Sequence, residues 1–415
     1  MKRNEYSIYY FFKNPMLNIL VIFTITSIFY TINNIYGFSS IFLYLNLGLL
    51  ILYLYLNEFN ERSDWKKIEK VFLFILLIGS TVLLFWVNHV FWIILLLEIQ
   101  SFIILGNSAI FHISQSYKFL NATEASFLYF LPSFSSLMCL LGAVINQTIN
   151  FPSPISSYYF VVLALCIKLG AVPFHFWIPQ VINNLNYSTI ILLTGLNKIP
   201  LLYLLQLINP SSILLMILGF LSITIGTFFM LNIVKIKELV AYSGIINNGW
   251  ILIIISINSI NLIYIFFFTY LLSLILLINI SKEKIYLEEL KLPNCIFKKQ
   301  IYYNIILYTS LINIGGLPPL FAFVLKYVII LNLYIYTNKI LLIFYLIILS
   351  VISIFVYLRP LTSFNLVKEN FLEKIQVLKY CFNEIKEHYK EVLTTVVTCS
   401  MPYLILLNIF IYLFD

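Results

Sequence analysis

Long apolar runs separated by short polar or charged stretches recur from near residue 17 to the C-terminal end. A helix needs about twenty apolar residues to cross the hydrocarbon core of a bilayer. On that length the chain divides into helices near 17–36, 40–57, 70–88, 90–111, 125–146, 158–178, 188–208, 213–233, 239–258 and 260–280. An interrupted apolar segment over 301–335 follows, then 340–358 and 394–414, for about thirteen spans. Between 368 and 390 the pattern changes, with charges alternating with Phe371, Leu372, Ile375, Leu378, Tyr380, Phe382, Ile385 and Tyr389 at roughly helical spacing. That spacing predicts an amphipathic helix on the membrane surface or against a partner subunit, a solvated linker being the plainer alternative. The first run, 17–36, follows a basic M-K-R-N-E-Y start. It is longer than the apolar region of a signal peptide and no small-residue cleavage site follows it, so it is expected to be the first span.

Loop charge orders these spans. The N-terminus and the loops 57–70, 112–124, 234–238, 281–300 and 359–393 carry the Lys and Arg residues between spans, whereas 146–158, 208–213 and the turns at Gly37 and Asn258 carry none; Lys339 is the exception. This is the positive-inside pattern, and it implies an odd number of spans with the N-terminus on the basic side. The formal charge of +8 is absorbed by these loops, so the basic balance does not call for nucleic acid. With 61% hydrophobic and 10% charged residues and a mean hydropathy of +0.97, a soluble fold is excluded; the expectation is an all-α polytopic membrane protein. The bias toward Phe, Tyr, Ile, Leu, Asn and Lys fits an AT-rich coding sequence of the kind found in organelles. Cys139, Cys166, Cys295, Cys381 and Cys399 are scattered, without the spacing of a disulfide frame or a metal site.

Few ionisable residues fall inside the predicted spans, and each is a candidate because burying a charge in a membrane is expensive. Glu98, in W-I-I-L-L-L-E-I-Q-S-F, is either a relay carboxylate or a structural one paired to a neighbouring helix. Lys168 opens I-K-L-G-A-V-P-F-H-F-W, and Pro173, five residues on, removes a backbone donor and is expected to break the helix near the lysine. Lys198, in L-L-T-G-L-N-K-I-P, also has a proline close by, Pro200. Lys326 follows G-G-L-P-P-L-F-A-F-V-L, where Gly315, Gly316, Pro318 and Pro319 are expected to open a second helix. A broken helix bearing an ionisable group is tolerated at membrane depth only inside protein or beside a water-filled cavity, as a charge path requires. His175 is either a core histidine bonded to backbone or a proton carrier. His89, His112 and Arg359 fall near span ends, where interfacial placement is expected. Together Glu98, Lys168, Lys198 and Lys326 read as a proton relay whose protonation steps are coupled.

At Lys168 the sequence becomes specific. I-K-L-G-A-V-P-F-H-F-W-I-P-Q-V closely resembles the signature of the subunit 2 family of the proton-pumping NADH:ubiquinone oxidoreductase, respiratory complex I. L-L-L-E-I-Q-S-F at Glu98, T-E-A-S-F-L-Y-F-L from Thr123 to Leu131, L-L-T-G-L-N-K-I-P at Lys198, L-V-A-Y-S-G-I-I-N-N-G-W from Leu239 to Trp250 and G-G-L-P-P-L-F-A-F-V-L-K-Y at Lys326 are similar to that family in the same order. The similarity runs from about Val71 to Pro360.

The resemblance implies an antiporter-like subunit with two inverted five-helix repeats, each holding one discontinuous helix. It implies that Glu98 and Lys168 pair in the first half-channel, that Lys198 links along the axis and that Lys326 is the exit-side station. It also implies no cofactor in this chain, with NADH, FMN, iron-sulfur clusters and ubiquinone held by other subunits. The implied partners are other membrane-arm and accessory subunits and membrane lipids. The implied location is the mitochondrial inner membrane, with the N-terminus in the matrix and the C-terminus in the intermembrane space. The expected organisation is N-terminal accessory helices over 1–69, a translocating core over 70–360, an amphipathic matrix-side segment over 361–393 and a last span over 394–415.

Three positions depart from the family pattern. Leu128 stands where many members have a lysine, Asn247 where a histidine is common, and Gln180 where an acidic residue is usual. The readings weighed against subunit 2 are a sister antiporter-like subunit of the same complex, a cation/proton antiporter, a polytopic lipid- or glycosyltransferase and a structural scaffold. F-H-F-W-I-P-Q-V and a lysine at 326 argue against the sister subunits. The uncharged loops on one side lack the paired acids or metal site that a transferase needs, and a scaffold leaves four buried charges unexplained.

Overall fold

The computed structural model describes residues 64–87, 89–110, 116–148, 154–233, 235–289, 307–318 and 320–366. The expected spans at 17–36, 40–57 and 394–414, the amphipathic segment at 368–390, and Pro319 and His112 lie outside the described residues. Among the described residues the chain is helical throughout, without a strand. Six helices are long and apolar enough to cross a bilayer, and four more apolar helices are shorter. Large apolar side chains such as Phe72, Trp86, Phe91, Phe102, Leu341 and Phe344 are exposed, the arrangement expected where lipid rather than water is the solvent.

The chain divides into two compact units, at residue 215. The first contains α1 (Asp64–Trp86), α2 (Val90–Ile110), α3 (Ser116–Thr148), α4 (Pro154–Leu169), α5 (Trp177–Asn184), α6 (Tyr187–Ile191) and α7 (Lys198–Ile208). A π-helical turn, Leu192–Leu196, joins α6 to α7. Here α3 packs on α2, α4 and α5, and α7 packs on α4 and α1. The second unit contains α8 (Ser212–Met230, which begins just before the boundary), α9 (Ile236–Ser256), α10 (Ile260–Glu289), a helical segment over 307–315, α11 (Phe321–Thr337) and α12 (Ile340–Leu366). Taken along the chain, the described residues of each unit form five hydrophobic segments, and in each set the fourth is interrupted, at 170–176 and at 316–320.

Three helices outrun their expected ends. The loops expected at 112–124, 281–300 and from 359 are helical over Ser116–Thr148, Ile260–Glu289 and Ile340–Leu366. Hydropathy marks where a helix leaves the apolar layer. The backbone ladder continues past that point; over 281–289 the Lys, Glu and Leu residues that follow are themselves good helix formers.

Glycines bring α8 and α9 close together in the second unit. A Cβ built on Gly249 of α9 would stand 2.5 Å from Ser222 Oγ and 2.8 Å from the Gly219 carbonyl oxygen of α8. One built on Gly226 would stand 2.6 Å from Ile246 Cγ1. Small residues let the two backbones approach, which is how helices gain packing where lipid removes the hydrophobic drive. Accordingly α9 is buried along nearly all its length. At the end of α8, Arg359 Nη1 donates to the Leu231 carbonyl and its guanidinium lies 5.2 Å from the Phe355 ring centre. The expected interfacial arginine is thus also a C-terminal helix cap.

Candidate functional site

The apolar run of α4 ends in a glycine motif. Gly170 adopts φ +67°, its N–H donates to Ile167 O at 3.0 Å, and the N–H of Ala171 donates to Cys166 O at 3.0 Å. These two bonds form a Schellman cap, which requires the left-handed conformation that glycine takes at no cost from a Cβ. The stop is therefore Gly170, three residues before Pro173. Pro173, whose peptide with Val172 is cis, lies in the link that leads to α5. The indole Nε1 of Trp177 donates to Ile167 O at 3.3 Å, joining α5 to the end of α4.

Lys168 lies in the last turn of α4, where the helix dipole favours a cation. Its Nζ is 2.7 Å from Glu98 Oε1 on α2 and donates to Leu97 O at 3.3 Å. The Lys168 side chain is 6% exposed and that of Glu98 14%, so the pair is largely withdrawn from solvent. Ser101 Oγ donates to Glu98 Oε2 at 3.1 Å and to Glu98 O at 2.7 Å, placing a hydrogen bond on the second carboxylate oxygen as well. Each charge therefore has the partners that burial demands.

Lys198, also buried, is the first residue of α7, just after the π-helical turn that joins α7 to α6. The turn before it is π-helical: Asn197 N donates to Leu192 O at 3.1 Å. Pro200 falls in the first turn of α7, after the π-helical turn; it cannot donate a backbone hydrogen bond to the turn before it. Asn197 Nδ2 donates to Tyr129 Oη on α3 at 3.1 Å, and the Tyr129 ring centre is 5.5 Å from that of Trp177. Tyr129 thus connects the lysine-bearing α7 with the break after Lys168. The sequence reading passed over it and weighed only its neighbour Leu128, because an aromatic in an apolar run carries no charge signal.

His175 is 2% exposed. Its Nδ1 lies 3.3 Å from Pro173 O and its ring centre 4.2 Å from that of Phe176.

The second interrupted helix repeats the glycine cap. Gly316 has φ +78°; its N–H donates to Asn313 O at 3.1 Å, and Leu317 N donates to Ile312 O at 3.2 Å. Pro318 follows in the link. Lys326, on α11 and 5% exposed, reaches back so that Nζ donates to Gly315 O at 2.8 Å. A Cβ on Gly316 would stand 3.0 Å from that Nζ, so glycine leaves room for the ammonium as well as for the turn. The ammonium also stands 6.0 Å from the centre of the Trp250 ring. Beside it is a cavity of about 10 Å³ lined among others by Asn247, Tyr270 and Asn313. Among the described residues no carboxylate forms a salt bridge with Lys326, and no group of three His, Cys, Asp or Glu is placed to hold a metal ion.

Comparison with known proteins agrees with this architecture. The profile of the NADH:quinone oxidoreductase/Mrp antiporter transmembrane family matches residues 36–353. The chain is 31% identical over 252 residues to NADH-ubiquinone oxidoreductase chain 2 of Martes flavigula, covering 57% of this chain and 70% of that one. It is 29% identical over 307 residues to the Lemur catta protein of the same name, covering 69% and 85%. Among solved structures, a chain of respiratory complex I from Thermus thermophilus superposes with a TM-score of 0.55 at 17% identity, covering 82% of this chain and 87% of that one. A chain of the Mrp complex from Dietzia sp. gives 0.62 at 14% identity, covering 77% and 64%. Two helices interrupted at glycine caps, each with a buried lysine at the break, thus occur in a chain that belongs to the NADH:quinone oxidoreductase/Mrp antiporter membrane family, in its NADH-ubiquinone oxidoreductase chain 2 branch.

Proposed function

We propose that this antiporter-like membrane subunit translocates protons through Glu98, Lys168, Lys198 and Lys326 within a complex I of the mitochondrial inner membrane. The observation that carries the reading is the 2.7 Å Glu98–Lys168 ion pair at the end of an interrupted helix. A closed pair holds both groups charged and neutralises them together. When it opens, each group loses the counter-charge that its burial demands, so opening and closing the pair couples proton movement to the packing around it. A proton arriving at one station then shifts the next, and His175, between α4 and α5, is a further candidate carrier.

Electron transfer from NADH through FMN and iron-sulfur clusters to ubiquinone belongs, on this reading, to other subunits, which drive the relay through their contacts with this chain. The core at 70–360 carries the relay, and the segments 1–69, 361–393 and 394–415 are accessory. Partners are the other membrane-arm and accessory subunits and lipid. The basic loops support a matrix-side N-terminus and a C-terminus in the intermembrane space.

Lys168→Met and Glu98→Gln, compared with wild type at equal amounts of assembled complex in sealed vesicles, are expected to lower proton pumping per NADH by about tenfold or more. Pumping at the wild-type ratio in either variant would overturn the relay.

A further inference from the structure

In the second unit the fully buried hydroxyl of Tyr270, on α10, makes no hydrogen bond to another protein group. Ser243 of α9 is near enough to Tyr270 and Tyr357 to interact with both hydroxyls; its own proton goes to Val240 O at 2.8 Å, so it could only accept from Tyr270, and the geometry between them falls short of a hydrogen bond. A buried hydroxyl left without a partner costs about 1–3 kcal/mol, so a partner is expected where there is room for one. Tyr270 and Lys326 line the same cavity of about 10 Å³, with the side chains of Asn247 and Asn313. That is about the space of one water, and a buried water is held by two to four polar groups. The groups have the right polarity. An ammonium has three donors; one of Lys326's goes to Gly315 O at 2.8 Å, which leaves donors for a water in the cavity that Lys326 lines. Tyr270 Oη both donates and accepts, and each asparagine supplies an amide.

We propose that this cavity is a water site in which Tyr270 Oη holds one water against the Lys326 ammonium, making Tyr270 a positioning residue for proton exchange at Lys326. The proposal rests on the reading of Lys326 as a relay station. In a proton transfer through this site, a proton leaves Lys326 Nζ for the water while the water passes one of its own to the next water along the path, so that Lys326 ends neutral and Tyr270 keeps its own proton throughout. Asn247, which lines the cavity, supplies hydrogen bonds to this water without taking up charge. The hydration of Lys326 is thereby fixed by neutral groups, and no carboxylate is required beside it.

Tyr270→Phe removes one oxygen and leaves the ring. In the assembled complex, electron input from NADH to an artificial acceptor is expected to stay at the wild-type rate while protons pumped per NADH fall about three- to tenfold. A high-resolution map of the wild-type complex is expected to contain a water within hydrogen-bond distance of both Lys326 Nζ and Tyr270 Oη, and the map of the variant to lack it. Wild-type pumping by Tyr270→Phe, or a wild-type map without that water, overturns the proposal. Lys326→Met separates it from its foundation. If that variant pumps normally, the relay role of Lys326 is wrong; if it stops pumping while Tyr270→Phe pumps normally, only the water site is wrong.

Discussion

Removing one member of the Glu98–Lys168 pair and removing both are different perturbations. Lys168→Met alone leaves a largely buried carboxylate with the Ser101 hydroxyl as its remaining side-chain hydrogen bond. Breaking a buried pair in this way costs about 3–5 kcal/mol, and replacing both charges by groups of similar size costs far less. The double variant Glu98→Gln/Lys168→Met is therefore expected to assemble to a higher level than Lys168→Met, while pumping no better. Native gels of membranes from the two strains check this; equal or lower assembly of the double variant would mean that the pair's charges matter little to stability. The charges themselves were legible in the sequence, because an ionisable residue inside an apolar run stands out. Tyr129, Asn197 and Tyr270 were not, since a buried tyrosine or asparagine reads as ordinary composition until the structure places it against another polar group.

Among the elements, the two glycine caps have the same backbone and different surroundings. At Gly170 an added Cβ would stand 2.0 Å from Ile178 Cδ1, within the buried packing of α5 on α4. At Gly316 it would meet the flexible end of Lys326, at 3.0 Å from Nζ. Both substitutions to alanine carry about 1–2 kcal/mol for a left-handed backbone. Gly170→Ala is expected to cost more, through displaced packing, and to lower the amount of assembled complex. Gly316→Ala is expected to assemble better yet pump several-fold less, because the ammonium is pushed from Gly315 O. Assembly level and pumping ratio, measured together, distinguish the two; a reversed order would refute the assignment of the caps. The breaks were visible in the sequence as prolines near lysines. Their cause was misplaced by three residues in the first helix, because the stop is made by a φ value and two backbone bonds. The π-turn at Leu192–Leu196 was missed for a related reason: a run of that composition fits an ordinary helix equally well.

For the molecule as a whole, the family assignment and the apolar helices describe a subunit built to work inside an assembly. Solubilised gently from native membranes, the chain is expected to co-migrate with NADH-oxidising activity in a complex of many subunits. Recovery of the chain alone, or in a complex without that activity, would contradict the proposed function. The expected thirteen spans refer to the entire chain; the described residues contain six apolar helices long enough to cross a bilayer and four shorter ones. Within them the order of five segments with the fourth interrupted, repeated once, agrees with the repeat that the family resemblance implied. The helix ends agreed less well, since polar residues at 116–124 and 281–289 continue their helices.

Hydrophobic run length and the position of charges within those runs are one-dimensional properties, and the sequence alone determined them: a polytopic helical chain, Glu98, Lys168, Lys198 and Lys326 within its spans, and two interruptions. Which group meets which was decided only by tertiary structure, because pairing depends on how helices distant in sequence pack. Lys168 finds its carboxylate 70 residues away. Lys326 finds a backbone carbonyl freed by a broken helix, and Tyr270 shares its cavity. No spacing along the chain encodes those encounters; the close approach of helix backbones and the left-handed turns at Gly170 and Gly316 create them.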